Sequence, residues 1–108
     1  MSRTVRELIT EALTHLDKVQ NYAMSDLDQD LVIDAIALRI ASCIDSLGRI
    51  PPDQLQELFG SDWRAMKGMR NRIAHGYLTV SPGVLKATLD SEVPDLRRTL
   101  EVWLQNHP

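Results

Sequence analysis

The run from Leu31 to Leu47 constrains the fold more than any other stretch. Leu31, Val32, Ile33, Ala35, Ile36, Ala37, Leu38, Ile40, Ala41, Cys43, Ile44 and Leu47 would cover most of the circumference of a helix. A helix that is apolar nearly all round must be covered on several sides, either in the middle of a bundle or between two copies of the chain. Asp34, Arg39 and Asp45 interrupt the run, which is also shorter than the ~20 apolar residues a membrane span requires. It therefore reads as a buried helix of a soluble domain, starting after a cap at Asp26 or Asp28 and stopped by Gly48 and the Pro51–Pro52 pair.

The flanking segments supply partners for it. Thr4 and Glu7 have capping-box spacing, and Val5, Leu8, Ile9, Ala12, Leu13, Leu16 and Val19 follow at helical intervals, which predicts a first helix over about 4–23. Pro52 and Asp53 open a short helix that ends at Phe59, with Gly60 as its stop. Ser61 caps the next helix, whose apolar stripe is Trp63, Met66, Met69 and Ile73, residues of core type at this spacing. A loop at 78–80 leads to Ser81 and Pro82, the cap and first residue of a last helix that Pro94 should kink or divide near Val93. No strand alternation, repeat or low-complexity segment occurs. The expected fold is an all-α bundle of four main helices plus one short helix, in a single domain spanning 1–108.

Composition excludes several classes. With 44% hydrophobic and 25% charged residues the chain is neither a disordered polymer nor, with one cysteine, a disulfide scaffold. Cys43 sits in the apolar run and is expected to be a buried thiol, and the charged N-terminus from Met1 to Leu16 lacks the apolar core of a signal peptide. A reducing cytoplasm fits both. Residues 61–77 carry Arg64, Lys67, Arg70 and Arg72 against Asp62, a balance of +3 inside a net charge of −3, so the remainder carries −6. Such a chain is no general nucleic-acid coat, yet its basic segment can hold a phosphate-bearing ligand locally, because screening confines charge effects to ~8–10 Å.

The segment Met69–Tyr77 gathers a guanidinium, an amide, an imidazole and a phenol. Asn71 lies one helical turn before His75, where its amide can hold the imidazole's orientation. Arg70, five residues before His75, falls about 140° away on an ideal helix, beside the apolar stripe, so the two converge only if the helix breaks at Gly76 or two copies share one cleft. One reading makes these groups ordinary: cations in a last helical turn complement the macrodipole, and Gly76 closes the helix. The other is metal-independent RNA cleavage, in which His75 transfers protons, Arg70 holds the phosphate bidentately, and Lys67 and Arg72 are further phosphate-binding candidates. A 2′-hydroxyl nucleophile restricts that chemistry to RNA, and the sequence has no convincing His, Cys and carboxylate cluster for a metal. Asp34 and Asp45, eleven residues apart on one face of the second helix, are either simply solvated, or Asp45 turns toward the basic segment to orient an Arg or His.

The run Gly68-Met69-Arg70-Asn71-Arg72-Ile73-Ala74-His75-Gly76-Tyr77 resembles the motif of HEPN-domain proteins of the HepT toxin type. The similarity takes in Trp63 and Arg64 before it and Leu85, Leu89, Pro94 and Leu96 after it, about residues 28–104 in all. The resemblance implies a homodimer of helical protomers with a composite ribonuclease cleft, Arg70 and His75 being the catalytic pair. It also implies a partner, a minimal nucleotidyltransferase antitoxin of the MntA type that uses ATP to place AMP on Tyr77; the chain itself needs no cofactor. Added phosphates would put charge and bulk where RNA must bind. Where that pattern calls for a Glu on the second helix near the cleft, this chain has Asp45, one methylene shorter. Two other readings remain open on the sequence: a non-catalytic subunit that binds and regulates a nucleotidyltransferase, and a bundle with no site.

Overall fold

The computed structural model describes residues 3–75 and 81–108. Its elements are α1 (Val5–Tyr22), α2 (Asp30–Leu47), α3 (Pro52–Phe59), α4 (Asp62–Ala74), α5 (Pro82–Ala87), a π-helical turn (Thr88–Glu92) and α6 (Val93–Asn106), with no strand among the described residues. The all-α bundle expected from the periodicity is what forms: α5, the π turn and α6 follow without a break as the last main helix, and α3 is the short one.

The helix ends show where local sequence rules held and where they yielded. Thr4 and Glu7 form the full capping box on α1, each bonding the other's backbone N–H. Ser81 Oγ accepts from the Val84 N–H at the start of α5, with Pro82 in the first turn. Helix α2 departs from expectation. Its cap is Gln29, without a side-chain bond, because Asp26 Oδ1 accepts from the Asp28 N–H at 2.9 Å and is spent on a turn ahead of the helix. Ser61 likewise caps α4 by position only, its backbone already helical and its hydroxyl unused. Gly60 closes α3 at φ 55°, a conformation that suits glycine. Pro94 widens the last helix rather than splitting it. Lacking an N–H, it removes the bond to the carbonyl four residues back, and in the turn before it the Val93 N–H reaches Thr88 O, five residues back.

The core lies between α1, α2 and α6. Leu8, Ile9, Ala12, Leu16 and Val19 of α1 meet Ile33, Ile36, Ile40, Cys43, Ile44 and Leu47 of α2, and Leu85, Val93 and Leu100 close the third side. Arg97 of α6 bonds Asp17 and Gln20 of α1, tying the two helices at their polar edge. Helix α2 is buried on two sides only. Leu31 and Leu38 remain 79% and 65% exposed, on the stripe that seven-residue steps carry on to Asp45. Helix α4 packs on α2 less deeply: Trp63, Met66, Met69 and Ile73 touch the core as expected, yet all four stay half-buried. That shallow seating opens a seam beside α2, and there the polar residues of α4 collect.

Candidate functional site

A cleft of about 300 Å³ lies in this seam, lined by Ile44, Asp45, Gly48 and Arg49 from the end of α2 and by Trp63, Lys67, Arg70 and Asn71 from α4. The lining follows from helical spacing. Positions 63, 67, 70 and 71 share one face of α4, and 44, 45, 48 and 49 share one face at the end of α2. The two faces come close at Gly48: a β-carbon there would sit 3.7 Å from the rim of the Trp63 indole, an ordinary contact distance.

The strongest polar contact in the cleft joins the two helices. Arg70 Nε donates to Asp45 Oδ1 at 2.6 Å and Arg70 Nη2 to Oδ2 at 3.4 Å, a side-on pairing of fork and carboxylate. Aspartate is therefore long enough to reach the motif from α2. The hydrogen bond from Arg70 to Asp45, and then the carboxylate's charge, hold the guanidinium's proton more tightly than usual. Both partners are open to water, with side-chain exposures of 37% and 49%, so the pair orients Arg70 more than it stabilises the fold. Two of the five guanidinium N–H groups face Asp45, and the remainder can take an anion.

Of the residues singled out in the sequence, Asp45, Lys67, Arg70 and Asn71 meet in this cleft. His75 and Arg72 lie outside its lining. Arg72 is exposed near the end of α4, and His75 is its C-cap, with its backbone N–H bonded to Asn71 O at 3.0 Å. Tyr77 and the Gly76 break fall outside the described residues. Sequence reasoning missed Arg49 and Trp63 as cleft residues. Arg49 stands four residues after Asp45, and that spacing was the available signal; Trp63 was read as core because half of it is. Among the described residues, no group of three or more His, Cys, Asp or Glu side chains is placed to hold a metal ion. No helix among them is long and apolar enough to cross a membrane.

Comparison with known proteins places the chain in a family. A model of the family described as "Ribonuclease HepT-like" matches residues 9–103. The curated relative "Putative RNase MJ0125" of Methanocaldococcus jannaschii is 23% identical over 105 residues, covering 92% of this chain and 90% of its own. "Putative RNase TTE0752" of Caldanaerobacter subterraneus subsp. tengcongensis is 22% identical over 102 residues, covering 94% and 91%. No solved structure gives a significant match. The matched region runs from α1 through the cleft and the motif to α6, and the chain belongs to the HepT-like ribonuclease family.

Proposed function

We propose that this HepT-like ribonuclease is the metal-independent endoribonuclease toxin of a toxin–antitoxin pair, acting in the cytoplasm as a homodimer and silenced by AMP placed on Tyr77. The observation that carries the reading is the Asp45–Arg70 pair, which fixes a guanidinium at the mouth of a basic cleft five residues before a histidine. The His75 imidazole takes the proton of a 2′-hydroxyl, and the 2′-oxygen attacks the adjacent phosphorus. Arg70 stabilises the charge that builds on the phosphoryl oxygens. The 5′-oxygen leaves with a proton from the His75 of a second copy, giving a 2′,3′-cyclic phosphate and a free 5′-hydroxyl.

A second copy has a place to dock. Leu31 and Leu38 are exposed on α2 in the stripe that ends at Asp45, so a partner covering them would lie against the cleft. The proposed silencing step is attack of the Tyr77 phenol oxygen on the α-phosphorus of ATP, catalysed by a nucleotidyltransferase of the MntA type, with loss of the phenolic proton and release of pyrophosphate. The added anion would compete with RNA phosphate for Arg70 and Lys67.

The test is cleavage and growth inhibition by the chain alone and by His75→Ala. The wild type is expected to cut RNA and arrest growth, and His75→Ala to do neither. Arg70→Lys should fail as well, since an ammonium lacks the planar fork. Undiminished cleavage by purified His75→Ala sinks the catalytic assignment; a wild-type chain that neither cuts nor arrests growth points to a regulatory subunit instead. Incubation with the nucleotidyltransferase and ATP should add AMP to the wild type and none to Tyr77→Phe.

A further inference from the structure

The bond changes assigned to Arg70 and His75 do not involve the other half of the cleft's lining. That half is Arg49, Lys67, Trp63 and Asn71, and it has the makings of a nucleotide subsite. Arg49 and Lys67 add two cations beside the Asp45–Arg70 pair, so the cleft carries a surplus of positive charge in a chain of net charge −3. Both side chains are on exposed residues, as a backbone phosphate arriving from water requires.

Trp63 supplies the other ingredient. It stacks against Phe59 at 5.9 Å with an interplanar angle of 22°, and its rim lies on Gly48, so the indole is braced on two sides while it still lines the cleft. A braced aromatic beside cations is the arrangement by which proteins hold single-stranded nucleotides: the base stacks, and the phosphate pairs with the cations. Asn71 adds an amide with donor and acceptor for a base edge. The volume of about 300 Å³ is at the small end of ligand pockets, suited to one nucleotide rather than a duplex.

We propose that the α2–α4 cleft is a nucleotide-binding subsite of the ribonuclease, taking the unpaired nucleotide next to the scissile phosphate, with its phosphate on Arg49 and Lys67 and its base on Trp63. The proposal rests on the ribonuclease reading and extends it: RNA is gripped as a single strand, and Asn71 reads the base at one position. Arg49 and Trp63 are binding residues in this scheme, and the bond changes occur at Arg70 and His75.

The test uses Trp63 as its own probe. In a full-length Trp103→Phe variant Trp63 is the remaining tryptophan. Short 2′-O-methylated oligoribonucleotides, whose blocked hydroxyl cannot attack, are titrated against its fluorescence. Saturable quenching is expected, with Arg49→Ala weakening binding by about tenfold, the loss of one phosphate contact, and Arg49→Lys restoring part of it. In cleavage assays Arg49→Ala should raise KM by a similar factor, with kcat held. Arg98→Ala, which removes a distant surface charge on α6, controls for net charge.

Absence of quenching while the wild type cleaves RNA overturns the subsite and leaves the catalytic assignment standing. Full cleavage by His75→Ala with quenching intact does the reverse. Unchanged oligonucleotide affinity and KM in Arg49→Ala also overturn the proposal, and do so equally if that variant instead loses a protein partner.

Discussion

The single most informative residue in the cleft is Asp45, because its effect is exerted through another side chain. It touches Arg70 at two points and fixes the plane of the guanidinium. Asp45→Asn keeps the shape and one acceptor but loses the charge. We expect cleavage to fall about tenfold, the order of one misdirected charge-assisted contact. Helical circular dichroism should be unchanged, since both groups are solvent-exposed and the pair contributes little to the fold. Unchanged kcat in this variant would mean that Arg70 orients without help. Cys43 illustrates the opposite case. Burial pushes its thiol up to about 12, so it is an inert part of the α1–α2 packing, as its place in the apolar run suggested.

At the scale of elements, two local devices carry testable consequences. Gly60 ends α3 with φ 55° and ψ −133°, and nothing lies within 4 Å of where a β-carbon would be. Gly60→Ala therefore meets no clash and pays only in backbone strain, so urea denaturation should show a loss of about 1–3 kcal/mol. The α1–α2 seam holds the second device. Arg39 Nη1 lies 3.2 Å from His15 Nδ1, and since a guanidinium can only donate, the imidazole must accept as the neutral form. Burial, followed by the charge of Arg39, holds His15 below the ordinary imidazole value, with Glu11 opposing. The unfolded chain therefore binds that proton more readily than the folded one. Its contribution to stability is complete above the unfolded value of ~6.5 and is lost as pH falls through it toward the folded value. Thermal melts should show a lower Tm on mild acidification, and His15→Gln should flatten that slope.

These elements also show what could be read from the chain and what could not. Helix existence and type were legible because apolar residues at 3–4 spacing have one efficient way to be buried, and caps such as Thr4–Glu7 are local. The start of α2 was misjudged because Asp26 had a competing local bond with the Asp28 N–H. The effect of Pro94 was placed correctly but took the form of a π turn, a choice between backbone geometries that composition does not determine. In the site, Arg70 and Asn71 were visible in the motif and Lys67 in the basic segment around it. Arg49 had one sequence signal, its four-residue spacing from Asp45, and the docking of α2 on α4 is what turns that shared face into a cleft lining.

For the molecule as a whole, the bundle is slightly more open than its length requires: its radius of gyration is 13.7 Å, against ~13 Å for a compact domain of this size. Helix α4, which lines the cleft, has no fully buried residue, and α2 leaves Leu38 to solvent two turns before Asp45 and Leu31 two turns before that. A second copy seated there would bury the leucines and complete the site. Leu38→Asp should weaken self-association about a hundredfold or more by sedimentation, because a symmetric interface loses the contact twice. Cleavage should fall with it, and full activity in a monomer would rule out the composite site. In the proposed mechanism an Arg and a His, with the RNA's own 2′-hydroxyl, suffice for cleavage. The decisive experiment incubates the purified chain, with excess chelator, with an oligoribonucleotide and with the same oligonucleotide made entirely of 2′-deoxy units. The RNA alone should be cut, to products ending in a 2′,3′-cyclic phosphate and a 5′-hydroxyl, and His75→Ala should cut neither. Cleavage of the deoxy strand, or loss of RNA cleavage on chelation, overturns the mechanism.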